Sequence, residues 1–144
     1  MNIAGAWYNE VGSQMDLSVA DDGSLTGQYW TAVGDAAGRY PLVGWAEPAA
    51  GLTGSVAVGW AVLWRNADRN SHSVTTWSGQ HQVINGEEHI HALWLLATET
   101  SVNEDWKSML VGADTFQRTQ PSTAQIAVRQ AREPASHPLV GGKK

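Results

Sequence analysis

The sequence predicts an all-β chain, an eight-stranded antiparallel up-and-down β-barrel, and three observations carry that prediction. Apolar and polar residues alternate with a period of two along eight short stretches. Helix-period patterns are almost absent before Pro121. Gly, Asn, Asp or Pro stands between one stretch and the next. Strands joined by loops this short can meander and close on themselves, which leaves no unpaired edge for another chain to extend.

Taken in order, the strands are read over residues 5–10, 14–20, 24–32, 39–46, 54–65, 71–83, 87–97 and 108–118. Asp21-Asp22-Gly23 and Asn85-Gly86 are the strongest tight-turn signals, because Gly and Asn accept positive φ at little cost. Alternation then assigns faces. Trp60, Val62 and Trp64 share one face of the fifth strand. Ser71, Ser73, Thr75 and Trp77 share one in the sixth, Ile90, Ala92, Trp94 and Leu96 in the seventh, and Leu110, Gly112, Asp114 and Phe116 in the eighth. With these sets turned inward, the lumen has an apolar end and an end rich in indoles and hydroxyls with one carboxylate, which describes a pocket. Leu63, Leu93, Leu95, Met109 and Val111 then face outward, and a contiguous apolar patch of that kind predicts a homo-oligomer.

Between the last two strands, residues 99–106 form the longest loop. Thr100 or Ser101 is read there as the cap of a short helical turn, with Glu104 completing a capping box and Trp106 at the barrel rim. The barrel domain is set at residues 3–120. Residues 121–144, with Pro134, Pro138 and terminal glycines, are expected to be a flexible tail whose middle, 122–132, forms a weak helix.

The chain has 144 residues, enough for one domain with one core. It contains eight Trp against one Phe, and so many indoles call for a site or an interface beyond core filling. A net charge of -5 without a Lys/Arg cluster before the last few residues argues against nucleic acid and anionic membranes as partners. No apolar stretch is long enough for a membrane span. The absence of Cys removes disulfides and thiol chemistry. No charged segment leads into an apolar run at the amino terminus; this fits a cytoplasmic protein or a secreted one written without its signal peptide, and secretion is the expectation.

Catalytic constellations are missing: no phosphate loop, nucleophile elbow or HExxH occurs. His89 and His91 share a strand face, but no third metal ligand is evident, so neither a metal nor a catalytic cofactor is expected. A more informative set is Asn9, Ser13, Tyr29, Thr31 and Asp114, brought together from four strands by a closed meander. Hydroxyls can donate to a ligand carbonyl, and Asp or Asn can accept from ligand N–H groups, which suits a urea or cyclic amide. The other reading of the same residues is that they satisfy one another at the barrel rim.

The motifs Gly5-Ala-Trp-Tyr-Asn9, Leu25-Thr-Gly-Gln-Tyr29, Gly59-Trp-Ala-Val-Leu-Trp64, Arg69-Asn-Ser-His-Ser73, Thr75-Thr-Trp-Ser-Gly-Gln80, Leu93-Trp-Leu-Leu96, Trp106-Lys-Ser108 and Leu110-Val-Gly-Ala-Asp-Thr-Phe116 resemble the avidin family in its bacterial, streptavidin-like branch. The likeness runs over nearly the whole chain. It implies high-affinity, non-covalent binding and sequestration of biotin by a non-enzyme. By position, it implies Asn9, Ser13 and Tyr29 as donors to the ureido oxygen, and Thr31 and Asp114 as acceptors for the ureido N–H groups. Thr75 would approach the ring sulfur, while Ser73 and the backbone near Asp35 would receive the valeryl carboxylate. Trp64, Trp77 and Trp94 would wall the bicycle with Val11, Val33 and Leu96. Residues 33–38, including Gly34, resemble a lid with a glycine near each end. Trp106 would cross into a neighbouring subunit's site, which implies a tetramer. Thr31 stands where that branch has Ser, Asp35 where it has Asn, and Ala113 where it has an interface His; the last puts one subunit contact in question.

Overall fold

The computed structural model describes residues 3–31, 38–49, 51 and 53–132. Eight strands follow one another: β1 (Gly5–Asn9), β2 (Gln14–Val19), β3 (Ser24–Trp30), β4 (Arg39–Ala46), β5 (Val56–Arg65), β6 (Asn70–Ile84), β7 (Glu87–Thr98) and β8 (Met109–Gln117). Each pairs antiparallel with the next, and β1 closes on β8 to complete the barrel. The fold class is therefore the one the alternation predicts, with strand ends shifted by a residue or two.

The turns follow from local chemistry. Asn85 and Gly86 both take positive φ, 53° and 82°, as a two-residue turn matching the twist of a hairpin requires. Asp22 Oδ1 accepts from the Ser24 amide at 2.9 Å and fixes the β2–β3 turn. The short 3-10 helix Val102–Lys107 fills the β7–β8 loop. Its N-cap, Ser101, makes no side-chain cap bond, and Glu104 pairs with Lys107 at 3.0 Å, so the capping box expected there does not form. The chain's capping box lies elsewhere. The Gln125 amide donates to Ser122 Oγ at 3.1 Å and the Ser122 amide to Gln125 Oε1 at 2.8 Å, at the start of α1 (Thr123–Arg132).

Inward-facing residues fill one core: Trp7, Met15, Leu17, Leu25, Tyr40, Leu42, Val58, Trp60, Val62, Ile90 and Phe116 are buried. The end of the barrel holding the β6–β7 turn is closed by a polar cluster. Buried His81 Nε2 meets Glu88 Oε1 at 3.0 Å, and Arg118 Nε donates to Glu88 Oε2 at 3.2 Å. The Arg118 guanidinium also lies 3.8 Å over the Trp7 ring and donates to the carbonyls of Ala4 and Ala6. At the opposite end, hydroxyls, amides and indoles collect.

Candidate functional site

The open end is assembled from the last residues of β1, β3, β5 and β7 and the first of β2, β4, β6 and β8. Asn9 ends β1, Ser13 lies in the turn just before β2, Tyr29 is near the end of β3 and Thr31 just beyond it. The strand order brings them beside Asp114, because β1 and β8 are neighbours in the closed barrel. Ser13 Oγ donates to Thr31 Oγ1 at 3.2 Å.

Asn9 is oriented by its own turn. Its Oδ1 accepts from the backbone amides of Val11 at 3.1 Å and Ser13 at 2.9 Å, which consumes the carbonyl end and leaves Nδ2 buried without a partner. Asp114 shows the opposite polarity. Trp77 Nε1 donates to its Oδ2 at 2.9 Å, and its Oδ1 is buried without a partner. Ser73 Oγ is a third buried, unpartnered atom at this end. Trp60 Nε1, on the rung opposite Trp77, and His81 Nδ1, nearer the β6–β7 turn, are also buried without a partner, as is His89 Nδ1. The pocket therefore holds an unsatisfied N–H donor and an unsatisfied carboxyl oxygen, each fixed by bonds to the other end of its group, and a free hydroxyl at Ser73.

Burial is the main reason the Asp114 carboxyl is held well above the ordinary carboxylate range, and the charge of Glu10 pushes it further. The Trp77 bond and the charge of Arg129 pull the other way, and so does the neighbouring Asn9 amide. Tyr29 is also raised well above its ordinary value, by burial first and then by the charge of Asp114. Its phenol therefore stays protonated and remains a donor.

The walls are aromatic. Trp64 and Trp77 meet edge to face with centroids 6.3 Å apart, and Tyr29 and Tyr40 pack edge-on against Trp64. Trp60 stacks under Trp77 at 5.5 Å and 15°, a floor beneath the wall. Trp64 Nε1 donates to Thr75 Oγ1 at 2.7 Å, which fixes both the indole and the hydroxyl. Val11, Trp94 and Leu96 are buried beside them. Trp94 pairs across the ladder with Gly112, where a Cβ would come within 2.2 Å of the indole; the glycine is what allows the ring to lie over β8.

Val33, Gly34 and Asp35, and the lid read over 33–38 except Gly38, lie outside the described residues. Trp106 lies on the 3-10 helix and is 78% exposed. It is not part of the buried wall of its own chain. On the outer face, Leu63, Leu93, Leu95, Met109 and Val111 are all exposed, as alternation predicts. His89 and His91 stack at 5.8 Å on that face, and His91 Nδ1 meets Thr115 Oγ1 at 3.2 Å. Among the described residues, no helix is long and apolar enough to cross a membrane.

Comparison with known proteins agrees with this geometry. The chain is 32% identical over 114 residues to Afifavidin of Afifella pfennigii, covering 79% of this chain and 67% of the relative. It is 33% identical over 124 residues to Avidin-related protein 4/5 of Gallus gallus, covering 81% and 77%. Fibropellin-1 of Strongylocentrotus purpuratus is 31% identical over 134 residues, 85% of this chain but 11% of that much longer protein. The Avidin family model matches residues 1–119, from the first strand to just past the last, and the chain belongs to the avidin family.

Proposed function

We propose that the chain binds biotin without turning it over, holding the ureido ring in the polar mouth and the bicycle among the indoles. The observation that carries this reading is the polarity of the buried atoms left without partners. Asn9 Nδ2 can only donate, and Asp114 Oδ1 accepts whenever the carboxyl carries its charge; both are held in place by bonds to the other end of the same group. A cyclic urea presents a carbonyl flanked by N–H groups, and this is the complementary pattern.

In this reading Asn9, Ser13 and Tyr29 donate to the ureido oxygen, while Thr31 and Asp114 accept from the two N–H groups. Tyr29 suits its role because its phenol stays protonated. Thr75 approaches the ring sulfur, and Ser73, with its free hydroxyl, receives the valeryl carboxylate together with backbone near Asp35. Val11, Val33, Trp64, Trp77, Trp94 and Leu96 enclose the bicycle, and Gly34 belongs to the covering loop. Burying about 300 Å² of ligand is worth on the order of 7 kcal/mol. Tighter binding comes from polar groups already held in place.

The assembly proposed is a homotetramer in a secreted protein that sequesters the vitamin. The exposed apolar face supports association, and the exposed indole of Trp106 supports its reaching a neighbour's pocket. Isothermal titration with biotin tests the site, with desthiobiotin and lipoate as comparisons. The expected result is one tight site per chain, with desthiobiotin retained and lipoate rejected. Absence of heat at several temperatures, with no rise in Tm on adding biotin, would overturn the reading.

A further inference from the structure

The barrel closes at its shortest ladder. β1 and β8 pair through Tyr8↔Gln117 and Asn9↔Phe116, whereas β6 and β7 pair continuously from Ser73↔Thr98 to Ile84↔Glu87. Beyond Asn9 a side chain continues the seam: Glu10 Oε2 accepts from the Thr115 amide at 3.1 Å, where a backbone carbonyl would otherwise serve. On the other oxygen of this carboxylate, Glu10 Oε1, lies Arg129 Nη2 of α1, 3.6 Å away. The Glu10 side chain is sheltered, 14% exposed, while that of Arg129 is 39% exposed.

Several features place α1 there by construction. The Ser122–Gln125 capping box starts the helix a few residues after β8 ends, so its path back along the seam is short. A groove of about 660 Å³, lined by Tyr8, Gln117, Gln125 and Val128, remains between helix and barrel, so the Arg129–Glu10 pair and not apolar packing ties α1 to the seam. Asn9 and Asp114, the two groups with opposite unpaired polarity, immediately adjoin Glu10 and Thr115 in the chain. Movement at the Glu10–Thr115 rung must therefore move both. The two charges are also felt in the pocket, since Glu10 raises the Asp114 carboxyl and Arg129 lowers it.

We propose that α1 is a latch across the β1–β8 seam, and that Arg129, acting through Glu10, is a positioning residue that holds Asn9 and Asp114 in register for the ligand. The ligand half of the proposal rests on the biotin reading above; the latch itself does not.

The test uses the full chain as wild type, Arg129→Gln, Arg129→Lys and Ala127→Pro, the last breaking α1 at an exposed position without touching the barrel. Three quantities are read: amide exchange of the segment around Thr115 without ligand, the biotin dissociation rate, and Tm. Arg129→Gln and Ala127→Pro are expected to raise both exchange and dissociation about two- to fivefold, the range of a partly sheltered ion pair. Arg129→Lys is expected to restore both. Unchanged exchange around Thr115 in Arg129→Gln and Ala127→Pro would overturn the latch. Faster exchange with unchanged dissociation would overturn the positioning role. A fall in Tm alone would make Arg129 merely structural and overturn it as well. Should wild type fail to bind biotin, the biotin reading falls and takes the ligand half with it, while Thr115 exchange still decides the latch.

Discussion

In the Asp114→Asn variant the side chain keeps its volume, and Trp77 Nε1 still needs an acceptor at the position now held by Oδ2, 2.9 Å away. The amide oxygen must therefore turn toward Trp77, which aims the NH2 group where Oδ1 now waits without a partner. Toward a ligand N–H this places a donor against a donor and removes a charge-assisted bond in a buried site. The loss of binding free energy is about 2–4 kcal/mol, roughly 30- to 1000-fold in Kd. Without ligand the sign reverses. The Asp114 carboxyl is held above its ordinary value by burial and by Glu10, so its ionised form costs the folded state stability. A group raised on folding contributes stability below its unfolded value, about 3.9, and loses it as pH rises through the folded value. Asp114→Asn should therefore match wild type near about pH 4 and exceed it at higher pH. A gain of about 1 kcal/mol there would raise Tm by about 4 °C. Calorimetric melts across pH, paired with biotin titrations, measure both arms. A variant that binds as well as wild type, or that melts lower at neutral pH without ligand, would refute the reasoning.

Four further predictions rest on other residues. Gly112→Ala would place a methyl 2.2 Å from Trp94 Cζ2 and 2.5 Å from Cε2, so the indole must tilt; stability should fall by about 1–3 kcal/mol and biotin affinity with it, measured by denaturant melts and titration. Burial raises the Glu88 carboxyl, but the bonds from Arg118 and His81 outweigh it and hold the group below its ordinary value. Stability from such a group is present above its unfolded value and lost as pH falls through the folded one, so Glu88→Gln should cost about 1 kcal/mol at neutral pH and nothing in acid, and a gap independent of pH would contradict the assignment. Leu93→Glu puts a charge on the exposed apolar face and should reduce the mass measured by light scattering, while Trp106→Ala should weaken biotin binding and association together; wild type running at 15.5 kDa would show that this face is not an interface.

The barrel was legible because period-two alternation is a direct consequence of strand geometry, and most members of the four inward sets read from it, such as Trp60-Val62-Trp64, are buried, with Ser71, Leu110 and Gly112 partly so. The capping box was misplaced because Ser101–Glu104 and Ser122–Gln125 both fit the pattern, and only a segment entering a real α-helix presents amides for the reciprocal bonds. At Ser101 the chain enters a 3-10 turn, and Glu104 finds Lys107 instead. The direction of the Asn9 amide was hidden for a different reason. Residue type permits either end to face the pocket, and only the amides of Val11 and Ser13 decide which does. The Trp60 floor and the Gly112–Trp94 fit depend on ladder register, which alternation does not give.

These details bear on why a small barrel tolerates such an unfavourable mouth. Leaving a buried polar atom unpaired costs about 1–3 kcal/mol, and Asn9 Nδ2, Asp114 Oδ1 and Ser73 Oγ are all buried without a partner. A chain selected for stability alone would replace them or let them pair with one another. The Asn9 amide is close enough to lower the Asp114 carboxyl, yet neither Nδ2 nor Oδ1 has a hydrogen-bond partner. That cost is carried by the ligand-free state and relieved when complementary groups arrive, so part of the affinity is stored in the fold before binding. The storage requires a seam that does not yield: if β1 could drift from β8, Asn9 and Asp114 would relax and the stored energy would be lost. The carboxylate rung from Glu10 to Thr115 stands at that point of the barrel, with Arg129 on its outer side.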